Sequence, residues 1–471
     1  MTRSVNRWVL ALPVLLGALD LTVVTAVLPA VVAELAIPLP GGLRAASWMV
    51  TGYLVAYAAA VALGGILTDR RGSRHAFLLS TGVFVAGSLL VATATGPPTR
   101  WVLGLAFRLF EVRPDPTMTA LGVLIAARCI QAIGAGAVVP AAMAAVSADP
   151  AHRLRDLGFI AGVDMAGWML GHLYGGLLVQ VVDWRVIFWL NIPLAAVSYA
   201  VVRRGMAPEP ERPGGGWPGS IAGASGIALV ALAAGGPFSL PVRLVLAVAG
   251  IGLVITYAAR LVPVRVVVAG WRDSIGNAFL GALIFFVLAA VPLYVSTLLE
   301  QDVDRAALVT GVLLSAFTVP MAGAAPLGGR LAEKVDERIV VLVASVLAFT
   351  GLALSRTWGT TEWSLVPGLV LAGIGFGGFL ALTADRLIRR TPDERGKTSA
   401  GVIVLRLFGM ALGTSLLTEW VLSRIRTLSG DLEAIRAGAR GIFDEAFLIA
   451  IGMQVVLTVV MWSRRRVVDE I

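Results

Sequence analysis

The sequence predicts an all-α integral membrane protein, in which two pseudo-symmetric six-helix bundles are joined by two linker transmembrane helices, fourteen spans in total. Three observations carry that expectation. The first is composition: of the 471 residues 58% are hydrophobic and only 14% charged, and the mean hydropathy is +0.86, far more apolar than a soluble chain of this length. The second is a series of apolar runs of bilayer length. The third is a charged motif that returns 264 positions later.

A hydrocarbon core about 30 Å thick needs about 20 apolar residues per helix. Such segments centre on residues 8 to 34, 47 to 67, 76 to 95, 118 to 146, 156 to 180, 184 to 203, 217 to 236, 241 to 260, 274 to 299, 307 to 328, 338 to 355, 364 to 387, 398 to 423 and 441 to 463. The first is too long, and too well continued by others, for a cleaved signal peptide. Between the third and fourth, "RWVLGLAFRLF" breaks an apolar stretch with arginines. It reads as an inserted amphipathic helix near 99–112 that does not span. The domains are then an N-terminal bundle at 1–205, two linker helices within 206–269 and a C-terminal bundle at 270–471.

Basic residues orient the chain. Arg3, Arg7, "TDRRGSRH" (68 to 75), "HRLRD" (152 to 156), "RRGMAPEPERP" (203 to 213), "AEKVDER" (332 to 338), "DRLIRRTPDERGK" (385 to 397) and "RRR" (464 to 466) fall on one face. By the positive-inside rule that face is cytoplasmic. The even number of spans then puts both termini on the cytoplasmic side of a bacterial cytoplasmic (inner) membrane. The connectors 100 to 113 and 424 to 440 carry arginines on the other face, partly offset by Glu111, Asp431 and Glu433. The net charge of +9 thus follows topology rather than a nucleic-acid surface. The single cysteine, Cys129, supports neither a disulfide framework nor a metal cluster. No Walker loop, metal spacing or Ser-His-Asp arrangement is present, so an ATP-driven or enzymatic reading has no support.

The repeat sits in two loops. "GILTDRRGSR" (65 to 74) and "GRLAEKVDER" (329 to 338) share a glycine, a leucine, an acid-base pair and a terminal arginine. A second echo pairs "DMAGWMLG" (164 to 171) with "RLFGMALG" (406 to 413), each placing a charge three and seven positions before glycines. Related halves of this kind are common in secondary transporters.

These residues carry a family resemblance. "GILTDRRGSR" resembles the loop motif of the major facilitator superfamily through Gly65, Leu67, Asp69, Arg70, Gly72 and Arg74, with Ser73 replacing a basic residue. "RCIQAIGAG" is similar to the family's fourth-helix motif through Arg128, Gln131 and Gly134. The fifth segment matches the antiporter motif at Gly158, Gly167, Gly171, Gly175 and Gly176, and His172 replaces its proline. "LGALDLTVVTAVLP" and "WRVIFWLNIPL" look like the fourteen-helix drug:proton antiporter branch. "LLGALD", "WMVTGYLVAY", "LGHLYGG" and "VLRLFGMALG" resemble most the mycobacterial-type triacylglyceride and lipid exporters within it.

The resemblance implies a proton-coupled antiporter that exports lipid-like hydrophobic substrates such as triacylglycerides by alternating access. A multidrug:proton antiporter is the neighbouring reading, and a non-transporting receptor or scaffold is the reading from another class. It implies no cofactor beyond a proton gradient. The partners would be the hydrophobic substrate, protons, membrane lipids and a periplasmic or cell-envelope lipid acceptor, with the chain acting as a monomer. No nucleic acid is expected.

Intramembrane charge marks the candidate residues, because an ionised side chain at mid-bilayer costs roughly 2.5 to 3.5 kcal/mol on insertion scales. Asp20 is the candidate proton acceptor; the alternative is a packing carboxylate bonded to Thr22 or to backbone. Asp164 shares a helical face with Gly171 and Gly175, and would pair with Arg406 of segment 398 to 423, the eleventh core helix. That pair either switches during transport or fixes helix register. Arg128 tunes Asp20 or bonds neighbouring carbonyls. His172 points away from Asp164 and reads as a hydrogen-bonded core histidine. Asp69, Arg70 and Arg74 read as a gating cluster, or as arginines that serve topology alone. If continuous to Ile425, segment 398 onward is about 42 Å long, and its projection would shield a lipid leaving the membrane.

Overall fold

The computed structural model describes residues 6–37, 45–46, 48–210, 221–222, 225–226, 229, 240–261, 270–295, 303–358, 363–425, 427–428 and 432–462. All regular structure among them is helical. Helix α1 spans Arg7–Glu34 and is opened by Asn6, whose side-chain oxygen accepts the Trp8 N–H at 3.1 Å, a standard way to satisfy a first-turn donor.

Helix α2, Trp48–Thr93, joins two of the expected segments. It turns at Gly72 (φ 80°, ψ 157°), a conformation open to glycine and strained for other residues. A Cβ there would also press on Glu209. The motif glycine is therefore the hinge between two spanning limbs.

Helix α3, Pro97–Phe110, starts on two prolines, which the first turn tolerates, and ends at Glu111 in the left-handed region (φ 54°). Its 14 residues occupy the arginine-interrupted stretch. At 1.5 Å per residue they reach about 21 Å, short of the hydrocarbon core.

The remaining helices are α4 (Pro116–Val146), α5 (Arg153–Val181), α6 (Arg185–Gly205), α7 (Leu240–Leu261), α8 (Trp271–Tyr294), α9 (Val303–Lys334) and α10 (Glu337–Trp358). A short 3₁₀ turn, Trp363–Leu365, leads into α11 (Val366–Ile388), followed by α12 (Arg395–Ile425) and α13 (Leu432–Trp462). Every expected segment except the seventh coincides with helix over its described residues. That one, 217 to 236, lies almost wholly outside the described residues. Among the described residues nine helices are long and apolar enough to cross a membrane. α12 has 31 residues, but α4 has 31 and α9 has 32, so length does not set α12 apart.

The chain forms two compact units. The first contains residues 1–146, 167–264 and 392–401; the second contains 147–166, 265–391 and 402–471. Their limits fall inside α5 and α12. The reason is local in each case. Gly158 and Gly162 let the first half of α5 approach the backbone of α9 at Ala325 and Ala322, within the second unit. Gly167 and Gly171 let its second half approach α1 at Leu15–Ala18 and Leu19–Thr22, within the first. Small residues at such crossings replace the hydrophobic drive that lipid does not supply.

The first unit has a dry core where Val27, Val31, Val91, Leu124 and Phe188 of α1, α2, α4 and α6 meet. The second is pinned by edge-to-face aromatic pairs, Phe317 with Phe376 at 6.0 Å and Phe286 with Phe447 at 5.6 Å between ring centres.

Candidate functional site

Asp20 lies mid-way along α1 and is 1% exposed. Two amides converge on its Oδ2: Gln131 Nε2 of α4 at 2.5 Å and Asn191 Nδ2 of α6 at 2.7 Å. Gln131 Nε2 also donates to Ser88 Oγ of α2 at 2.9 Å. Two helices thus bond the carboxylate of a third, and a fourth holds one of the bonding amides.

Arg128, fully buried one turn before Gln131, does not bond that carboxylate. Its Nη2 donates to the Asp20 main-chain carbonyl at 2.6 Å and its Nη1 to Gln131 Oε1 at 2.7 Å. The guanidinium lies 4.2 Å from the Tyr53 ring centre and 5.6 Å from that of Phe188, a cation–π setting. Tyr53 in turn donates to the Gly17 carbonyl at 2.8 Å. Arg128 therefore both bonds carbonyl oxygens and orients the amide that reaches Asp20. Thr22 turns to its own helix, donating to the Leu19 carbonyl at 3.3 Å.

The antiporter-motif glycines Gly167 and Gly171 touch α1 on either side of Asp20, so any Cβ there would push α1 and its carboxylate away. Gly158 serves the other end of α5. His172, Gly175 and Gly176 lie in α5, but their surroundings are outside the described residues.

Asp164 and Arg406 are both buried, each 2% exposed, and both belong to the second unit. Arg406 Nη2 donates to Asn277 Oδ1 of α8 at 3.2 Å, and Asn277 Nδ2 donates to the Val402 carbonyl at 2.5 Å.

The repeated loops have matching geometry. In the first unit, Asp69 accepts the N–H groups of Gly396 (2.6 Å) and Lys397 (2.9 Å) with its two carboxylate oxygens, capping α12 at its first turn. Gly65 makes room, since a Cβ there would meet Gly396 and Ala400. In the second unit, Glu333, 264 positions after Asp69, accepts the Arg155 N–H at 3.1 Å at the first turn of α5. Gly329, the partner of Gly65, lies against Leu154 and Arg155. Each copy thus places a carboxylate on the positive end of a helix. Arg70 is half-buried beside the hinge. Arg74 Nη2 donates to the Arg203 carbonyl at 2.9 Å, and Glu209 accepts the Ser73 N–H at 3.1 Å beyond the Gly72 turn.

Several participants are absent from the candidates that charge alone marks. Asn191, Ser88, Tyr53 and Asn277 are neutral, and only a polar residue inside an apolar run, as in "WRVIFWLNIPL", hints at them. An ion-pair lattice in the second unit is another. Asp385, 0% exposed, meets Arg153 Nε at 2.5 Å and Arg389 Nε at 2.6 Å; Glu337 meets Arg386 Nε at 2.5 Å; Asp273 meets Arg390 Nη2 at 2.9 Å.

The sequence profile of the Major Facilitator Superfamily matches this chain over two overlapping stretches, residues 10–299 and 278–470. The chain belongs to the Major Facilitator Superfamily. It is accordingly a multi-pass integral membrane transporter and not an enzyme. Among superfamily members it is 29% identical over 499 residues to the triacylglyceride transporter of Mycobacterium tuberculosis, covering 96% of this chain and 91% of that protein. To the triacylglyceride transporter of Mycolicibacterium smegmatis it is 29% identical over 466 residues, covering 92% and 78%. Solved superfamily structures share the fold. The human organic anion transporter MFSD10 gives a TM-score of 0.57 at 17% identity, covering 96% of this chain and 99% of that one. A proton:xylose symporter gives 0.59 at 14% identity, covering 94% and 93%.

Proposed function

We propose that this superfamily member is a proton-driven antiporter that exports lipid-like hydrophobic molecules such as triacylglycerides by alternating access. On this reading it works as a monomer in a bacterial cytoplasmic membrane, with both termini inside, no cofactor beyond the proton gradient, and a cell-envelope acceptor for the lipid. The observation that carries the coupling is the Asp20 cage. A carboxylate removed from water, held by neutral amides and with no cation bonded to its oxygens is placed to gain or lose a proton. The substrate class draws its support from the two triacylglyceride transporters that align with nearly the whole chain.

In this scheme Asp20 takes a proton when the cavity faces the acidic side and releases it on the other, while Arg128 and Gln131 keep its geometry. Asp164 and Arg406 form a buried pair that exists in one state and parts in the other, with Asn277 holding the guanidinium between. The carboxylate caps of Asp69 and Glu333 close one face and release their helix ends when it opens.

The test is reconstitution into liposomes with an imposed pH gradient, following a fluorescent triacylglyceride and, separately, a hydrophobic cationic dye. Gradient-dependent movement of the triacylglyceride supports the proposal. Movement of the dye alone assigns the chain to drug efflux, and movement of neither under any gradient points to a scaffold.

A further inference from the structure

Helix α3 has a surface that no transport step uses. On a helical wheel Arg100, Gly104 and Arg108 form one stripe, with Trp101 beside it, and Trp101, Leu105 and Leu109 form the next. The latter three are 68%, 39% and 64% exposed. The opposite side, with buried Thr99 and half-buried Val102, Leu103 and Ala106, faces the protein until the last turn, where Phe107 and Phe110 are 50% and 73% exposed. Thr99 fixes the start of the helix by donating to the Ala94 carbonyl at 2.6 Å.

Two features identify what covers the open stripe. The spanning helices on either side also present apolar side chains outward, Leu89 of α2 and Met118 of α4 being 44% and 37% exposed. The helix is too short to span, so its apolar stripe meets the bilayer side-on. Next to that stripe, the Arg100 and Arg108 side chains have no hydrogen-bond or ion-pair partner among the described residues. They stand eight residues apart, about 12 Å along the axis. The nearby acids lie beyond the helix end, where Asp115 is engaged by the Thr117 N–H at 3.2 Å. Arg113 rests 5.3 Å from the Phe107 ring centre.

We infer that α3 is a membrane-surface helix, with Leu105, Leu109 and Trp101 seated among acyl chains and Arg100 and Arg108 binding the phosphates of anionic phospholipids. Long basic side chains reach from an apolar stripe to the headgroup layer in this way, and tryptophan favours that same layer. The site lies apart from Asp20 and does not depend on which substrate is carried.

The experiment uses the full-length chain. Cys129→Ser gives a cysteine-free background, into which Leu105→Cys, Leu109→Cys or Gly104→Cys is introduced and labelled with an environment-sensitive nitrobenzoxadiazole. Each protein is reconstituted into vesicles containing brominated lipid. The labels at 105 and 109 should be blue-shifted and quenched at least about twofold more than the label at 104. Equal quenching at all three positions, or water-like emission at 105 and 109, overturns the proposal.

The charge component is tested with Arg100→Gln combined with Arg108→Gln. Retention of phosphatidylglycerol through detergent exchange should fall by about tenfold, with phosphatidylcholine unaffected and 10 mM inorganic phosphate unable to compete, a concentration chosen on the order of ordinary buffers. Unchanged retention, or displacement by free phosphate, contradicts a headgroup site.

Discussion

Asp20 and Asp385 are equally removed from solvent, 1% and 0% exposed, yet their neighbourhoods are opposite. Asp20 is held by two amides, while the adjacent arginine spends its donors on a carbonyl and on one of those amides. Asp385 is clamped between Arg153 and Arg389, inside a lattice that also ties Glu337 and Asp273 to arginines. Protonating Asp385 would take the paired acid from Arg153, whose side chain is 21% exposed, while Arg389 would keep Glu337 at 3.5 Å. Protonating Asp20 breaks no direct ion pair, and the buried Arg128, which feels its charge, keeps its carbonyl, amide and ring contacts. Two buried carboxylates in one membrane protein are thus suited to different work: one to keep its charge and hold helices in register, the other to change it.

The comparison can be broken most forcefully at Asp385. Asp385→Asn keeps the shape and removes the counter-charge of two partly exposed arginines, and should cost about 1 to 2 kcal/mol, read as a clear fall in the melting temperature of the purified protein. Asp20→Asn, equally buried, should leave that temperature nearly unchanged. Equal destabilisation of both variants would erase the distinction.

A smaller effect sharpens the cage itself. Asn191→Leu removes one of two donors to Asp20 Oδ2 and leaves Gln131 in place. Gradient-driven flux should fall several-fold without being abolished, because the net worth of one hydrogen bond is about 1 kcal/mol, or about fivefold. Wild-type flux would remove Asn191 from the site.

The smallest effect concerns the repeat. Asp69 caps α12 through two N–H groups, whereas exposed Glu333 caps α5 through one at 3.1 Å. Asp69→Ala should therefore cost about 1 kcal/mol and Glu333→Ala only a few tenths, as judged by thermal unfolding. The reverse order would mean that the two copies do not share a role.

Much of this architecture is legible in the sequence, for physical reasons. Apolar run length fixes where helices lie, because every backbone polar group in a bilayer must be satisfied within the chain. Charge inside such runs is costly, which exposes Asp20, Arg128, Asp164 and Arg406. The repeat locates Asp69 and Gly72, and the arginines of 100 to 108 betray α3. Neutral partners are harder to see. Asn191, Ser88 and Tyr53 cost less to insert than an ion, and what they bond depends on which helices meet. The lattice around Asp385 is hidden for another reason: in "DRLIRRTPDERGK" Asp385 and its arginines read as topological charge, and their other partners, Arg153, Glu337 and Asp273, lie on other helices. The continuity of α2 across Gly72 likewise depends on a single backbone angle.

The central claim is that Asp20 carries the coupled proton. It is tested most directly by recording internal pH with a trapped dye in proteoliposomes while triacylglyceride export is started, comparing wild type with Asp20→Asn at matched protein content. The account predicts substrate-dependent proton movement in wild type and a loss of at least about tenfold in the variant, equivalent to 1.4 kcal/mol or more, with its melting temperature retained. Undiminished proton movement in Asp20→Asn would contradict it.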